Sequence, residues 1–146
     1  MSNVSLYHTF VQNHNGLTGT SFVEGDEGLA LGVSSSLIAA PGTNPEQFIG
    51  FALATCFNAT IRLIEAREHT PEDSKVRVRI DITRDQPGYQ FLVAAQIQMP
   101  QHDEADAQRL IATALDECPV AKLLKDNENV SFQLVDQFTD DASLGE

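Results

Sequence analysis

Two thiols and one carboxyl group are the residues of this 146-residue chain whose types and spacing suit chemistry. Cys56 stands inside the apolar run FALATCFNATIRLIEA, Cys118 lies in the segment ECPVAKLL, and Glu46 precedes Cys56 by ten residues. A lone buried cysteine usually behaves as a small hydrophobe, so Cys56 taken alone reads as packing. Cys118 changes that reading, because two inward-facing thiols can meet in one core. Two cysteines are too few for a disulfide scaffold in a chain large enough to have its own core. A bridge between them would be redox chemistry rather than a staple.

The elements around these residues follow from periodicity. GTNPEQ reads as a helix start, with Asn44 as N-cap, Pro45 at the first helical position, and Glu46 in the first turn, where a negative charge favours the dipole. The helix should run from Pro45 to Glu68, apolar all round over its first three turns and therefore buried. A second helix is predicted from Asp103 to Glu117, with Ala107, Leu110, Ile111, Ala114 and Leu115 forming one stripe that Cys118 extends. Pro119 disfavours helical geometry at Cys118 and suits the start of a new helix, so Cys118 is expected as N-cap of PVAKLLK. There the unpaired N–H groups and positive dipole end should favour a thiolate.

Strands fill the rest. VSLYHTFVQ, LTGTSFVE and GLALGVSS, separated by Asn-, Asp- and Gly-containing turns, read as two or three antiparallel strands. KVRVRIDITR alternates strictly, and DQPG returns it as YQFLVAAQIQM in a hairpin. NVSFQLVDQF closes the chain, with residues 139–146 expected as a mobile tail. The order predicts one α+β domain over residues 1–146, its helices packed on antiparallel sheet.

Composition narrows the partners. With 9 Lys and Arg against 21 Asp and Glu, the formal charge is −12, and no Lys or Arg precedes Arg62. No cationic face is available for nucleic acid or anionic membrane. The N-terminus MSNVSLYHTF lacks a basic start, and no run approaches the roughly 20 apolar residues of a membrane span, so a cytoplasmic protein is expected. Thiolates with His8, His14, His69 or His102 would make a zinc set, but no CxxC or HxxxH spacing supports one. Each histidine sits where a solvated loop or strand residue would serve. No metal or cofactor is expected, and nothing fixes a base beside either thiol for acyl transfer.

GTNPEQFIGFALATCFNATIRLI and ECPVAKLL together resemble the OsmC/Ohr family, the osmotically inducible and organic hydroperoxide resistance proteins. The specific features are the NPEQ helix start, the CF pair ten residues later, and the CPV joint; the first strands match only in type and order. The resemblance implies an intertwined homodimer and a thiol-dependent peroxidase serving oxidative or osmotic stress defence. Cys56 would attack the O–O bond of an organic hydroperoxide and Cys118 would resolve the resulting sulfenic acid as a disulfide. A dithiol reductant, dihydrolipoamide-like in this family, would restore both thiols. Phe48, Phe51 and Phe57 would suit an alkyl peroxide. An alternative is a non-catalytic member of the same fold that holds a small apolar ligand.

Glu46 matches the family's active-site carboxylate. Ten helical residues rise about 15 Å, so on a straight helix Glu46 serves the Cys56 of another subunit. The family pattern also carries an N-terminal arginine, oriented by that glutamate, which stabilises the thiolate. Here NHNGLTGTSFVEG offers only His14 and neutral polar residues. A charge-assisted partner commonly lowers a thiol pKa by a unit or more, each unit being about 1.4 kcal/mol, so its loss should slow attack. His14 and Arg62 are the conceivable substitutes, though a solvated loop residue and a surface residue are the plainer readings of each.

Overall fold

The computed structural model describes residues 4–140. The described residues group into two compact units that divide between Pro45 and Glu46. The first is a small antiparallel meander, β1 (Val11–Asn13), β2 (Thr20–Val23) and β3 (Ala30–Gly32), as the three alternating segments predict. A single turn of 3-10 helix at Gly16–Thr18 joins the first two strands.

The second unit carries the chemistry. Helix α1 (Pro45–Arg67) begins at its proline, as predicted, and is followed by the hairpin β4 (Lys75–Arg84) and β5 (Tyr89–Gln98). Then come α2 (Glu104–Glu117), α3 (Pro119–Leu123) and β6 (Val130–Leu134). Asp103 is not the first residue of α2 but its N-cap, its carboxylate accepting from the Asp106 N–H at 2.8 Å, the pairing that short acidic side chains favour at helix starts.

β6 pairs with β5 in parallel, so the antiparallel sheet expected from sequence is mixed. The physical reason is the connection: α2 and α3 carry the chain back past the sheet, and a helical crossover returns a strand in the same direction. The face of β5 bearing Val93, Ala95 and Ile97 meets Leu53, Phe57, Ile61 and Ile64 of α1 and Ala107, Leu110, Ile111 and Ala114 of α2 in one core.

Two further expectations are corrected. α1 is not buried all round: Leu53, Phe57, Ile61, Ile64 and Glu65 form the buried stripe, while Phe51 and Leu63 are each 63% exposed. Its 23 residues, with a mean hydropathy of 1.3 over their most apolar window, are long and apolar enough by composition to cross a membrane, so the expectation that no run approaches that length does not hold. Residues 139 and 140, expected as the start of a mobile tail, are held in place. Thr139 exchanges two hydrogen bonds with the Gln96 side chain and Asp140 pairs with Arg77 at 2.7 Å, which pins both to the sheet. Residues 141–146 of that tail lie outside the described residues.

Candidate active site

Cys118 is where α2 ends and α3 begins. Its φ and ψ of −69° and 120° are extended, as a residue before proline prefers, and its sulfur accepts from the Ala121 N–H at 3.4 Å. The buried stripe of α2 carries it inward until it has no exposed surface. Cys56, half-buried on α1, meets it there: the Cys118 thiol donates to the Cys56 sulfur across 3.3 Å. Both thiols are free. A formed bridge has its sulfurs about 2.05 Å apart, so a small side-chain adjustment would join them.

The two sulfurs differ electrostatically. Burial pushes the Cys118 thiol above its ordinary pKa, the Ala121 N–H works against that rise, and the hydrogen bond to Cys56 adds to it. The thiolate expected of Cys118 as an N-cap is therefore not favoured. Removal from water outweighs the end of a helix only five residues long. Cys118 remains a neutral donor beside the more accessible sulfur.

Glu46 lies in the first turn of the continuous helix α1, half-buried. Ten residues of unbroken helix separate it from Cys56 by about 15 Å along the axis, too far for contact within one chain. Of the three phenylalanines expected to line a pocket, Phe57 is wholly buried and stacks on Phe132 with ring centroids 4.8 Å apart, so it is core. Phe48 is half-buried and Phe51 exposed.

Each conceivable substitute for the absent arginine has hydrogen-bond partners of its own. Arg62 donates through Nε and one terminal nitrogen to the Ser74 carbonyl at 3.2 and 2.9 Å, and through the other nitrogen to the Glu72 carbonyl. It clamps the loop between α1 and β4. His14, within the first unit, bonds Gln12 Oε1 at 2.7 Å and stands edge-on to Phe22.

A second polar cluster was not visible to sequence reasoning. The His102 side chain, expected as a solvated loop residue, is 2% exposed. Its Nδ1–H donates to Asp106 Oδ2 at 2.9 Å, and its Nε2 faces Glu65 Oε2 at 2.9 Å and the Pro71 carbonyl at 3.0 Å. Burial works against a charge on this ring; the bonds to Asp106, Glu65 and Pro71 outweigh it and hold the pKa up to about 9. One signal was present: Glu65 falls four residues after Ile61 and eight after Phe57, on the same stripe as the apolar residues.

The family described as OsmC-like protein matches residues 38–133. A crystal structure from Lactobacillus casei ATCC 334, provisionally named a redox protein, superposes with a TM-score of 0.87 at 36% identity, over 94% of this chain and 96% of that one. The organic hydroperoxide resistance protein OhrB of Bacillus subtilis is 26% identical over 95 residues, 64% of this chain and 70% of that protein. Its crystal structure gives a TM-score of 0.77 at 25% identity, over 89% and 98% of the two chains. Peroxiredoxin OsmC of Escherichia coli is 27% identical over 97 residues, 64% of this chain and 68% of its own. Since the matched segment holds α1, both thiols and the sheet, the chain belongs to the OsmC-like protein family.

Proposed function

We propose that this protein is a thiol peroxidase for organic hydroperoxides, with Cys56 as the attacking sulfur and Cys118 as the resolving one. The observation that carries the proposal is the 3.3 Å approach of two free sulfurs of unequal burial. The accessible Cys56 meets substrate first. Its thiolate attacks one peroxide oxygen, the O–O bond breaks, and the alkoxide leaves as an alcohol after taking a proton. Cys56 is then a sulfenic acid, and the Cys118 sulfur displaces its hydroxyl as water to close a disulfide. A dithiol reductant, oxidised in turn, restores both thiols by two exchanges. The names of OhrB and OsmC support the substrate class.

The site works in a homodimer in this reading. Glu46 reaches no thiol of its own chain, and the exposed face of α1 supplies apolar surface for a second copy. With Arg62 committed to the loop and no cation ahead of it in the chain, attack is slower than in a site with an arginine beside the thiolate.

That same commitment of Arg62 favours a second reading, a ligand-binding member of the family whose thiols only pack. Treating the reduced protein with cumene hydroperoxide separates the two. The peroxidase reading requires loss of both free thiols and an intramolecular Cys56–Cys118 crosslink by peptide mass analysis. Unchanged thiols with no crosslink sink it.

A further inference from the structure

The cluster around His102 holds more acceptors than donors. Glu65, on the buried stripe of α1, has no exposed surface, and its Oε1 meets no hydrogen-bond donor. Asp73, in the loop before β4, is 12% exposed; its Oδ2 accepts from the Gln101 N–H at 2.7 Å, while Oδ1 is buried and unpartnered. That Oδ1 lies 3.8 Å from His102 Nε2. One ligand atom from each of Glu65, Asp73 and His102 falls within 4.8 Å of the other two.

A proton on Nε2 satisfies this arrangement poorly, because it points in one direction toward several oxygens. A buried carboxylate oxygen left unmatched has given up its hydration with no bond in return. We propose that Glu65, Asp73 and His102 Nε2 bind a divalent first-row transition metal ion of the zinc class, which takes the place of the Nε2 proton.

The local geometry and donor chemistry fit that ion. Ligand atoms around tetrahedral zinc, at bonds of roughly 2.0–2.1 Å, stand about 3.3 Å apart. The Nε2 separations of 2.9 Å from Glu65 and 3.8 Å from Asp73 bracket that spacing. The far nitrogen, Nδ1, already donates to Asp106, the outer-shell contact that fixes the tautomer of metal-ligating histidines. Asp106 is itself held by Arg109 at 2.6 Å. The Pro71 carbonyl, 3.0 Å from Nε2, offers a fourth ligand. An imidazole with oxygen donors suits zinc, manganese or iron better than magnesium. His102 also borders a surface cleft that Met99, Pro100 and Glu104 line.

The site is separate from the thiols. Glu65 follows Cys56 by nine residues, about 13.5 Å along α1 and half a turn around it. Its occupancy is therefore independent of the peroxidase reading, and its role is structural, tying the end of α1 to the loop before β4 and to the start of α2.

Titrating zinc into the full chain carrying Cys56→Ser and Cys118→Ser tests this without thiol ligands. One equivalent should bind by calorimetry, with a proton released and the melting temperature raised. Asp73→Asn, partly exposed and close in shape, should bind at least tenfold more weakly and lose the thermal shift. Asp106→Asn should weaken binding by about 10–100-fold. Magnesium should produce neither signal. His102→Asn gives the same answer where it folds, and the Asp73 variant keeps the test decisive where it does not. No zinc binding, equal binding by Asp73→Asn, or equal response to magnesium overturns the assignment.

Discussion

The Cys118 sulfur, without exposed surface, donates its thiol proton toward the half-buried Cys56 sulfur 3.3 Å away. This asymmetry divides the work of the pair. If Cys56 is oxidised first, a Cys118→Ser variant exposed to cumene hydroperoxide should stop at the sulfenic acid, captured by dimedone, and then over-oxidise. Cys56→Ser should leave Cys118 unmodified on the same time scale. Dimedone labelling at Cys118 instead would reverse the assignment.

The burial that raises the Cys118 pKa makes stability depend on alkaline pH. Its folded-state pKa lies above that of an ordinary thiol, so folding favours the protonated form. The stability this contributes is fully present below the unfolded thiol's pKa and is lost as pH rises through the folded one. The melting temperature of the reduced protein should begin to fall above about pH 8.5, where an unfolded cysteine titrates. Cys118→Ala should melt lower at neutral pH yet show a shallower alkaline decline. A decline as steep as the parent's would place its source in other groups.

Arg62 tests whether the thiol borrows a cation from the loop clamp. Losing its bonds to the Glu72 and Ser74 carbonyls should cost Arg62→Ala about 1–3 kcal/mol in urea unfolding, the usual penalty for stranded acceptors. The rate of thiol oxidation by hydroperoxide should stay within about twofold of the parent, because a clamp acts on stability rather than on the sulfur. A tenfold slower oxidation would show that Arg62 serves the thiol.

How far the sequence was legible depended on whether a residue's environment is local. Cys118 could be placed because Ala114 and Leu115 set its face and Pro119 set its backbone, all within five positions. Pro45 and Asp103 marked helix starts for the same reason. The parallel pairing of β6 with β5 was not legible, since Val130–Leu134 alternates identically whichever way it runs. His102 was misplaced because its burial comes from Glu65 and Pro71, 37 and 31 residues away in sequence. The exposure of Phe51 and Leu63 was hidden by a helix too uniformly apolar for one face to stand out. No local pattern reports which side a neighbouring chain would cover.

The exposed face of α1 leads to the last prediction. Phe57 and Leu63 occupy one helix yet answer to different surroundings. Phe57→Ala, emptying a site packed against Phe132, should cost about 3–5 kcal/mol. If the exposed face of α1 holds the proposed second copy, Leu63→Glu should leave the protomer folded and shift the protein from dimer to monomer in light scattering; an unchanged molar mass would place the contact elsewhere.

In the proposed homodimer, assembly would in turn decide what Glu46 does. Within one chain it is about 15 Å from Cys56, so any influence on that sulfur must cross to a second copy. A carboxylate placed there without an arginine disfavours the thiolate, as like charges do. Glu46→Gln should therefore raise the rate of Cys56 alkylation several-fold in the dimer. In a Leu63→Glu background the same substitution should change nothing, because the partner's sulfur is gone. An equal effect in both backgrounds would mean that Glu46 acts within its own chain, and the shared site would have to be abandoned.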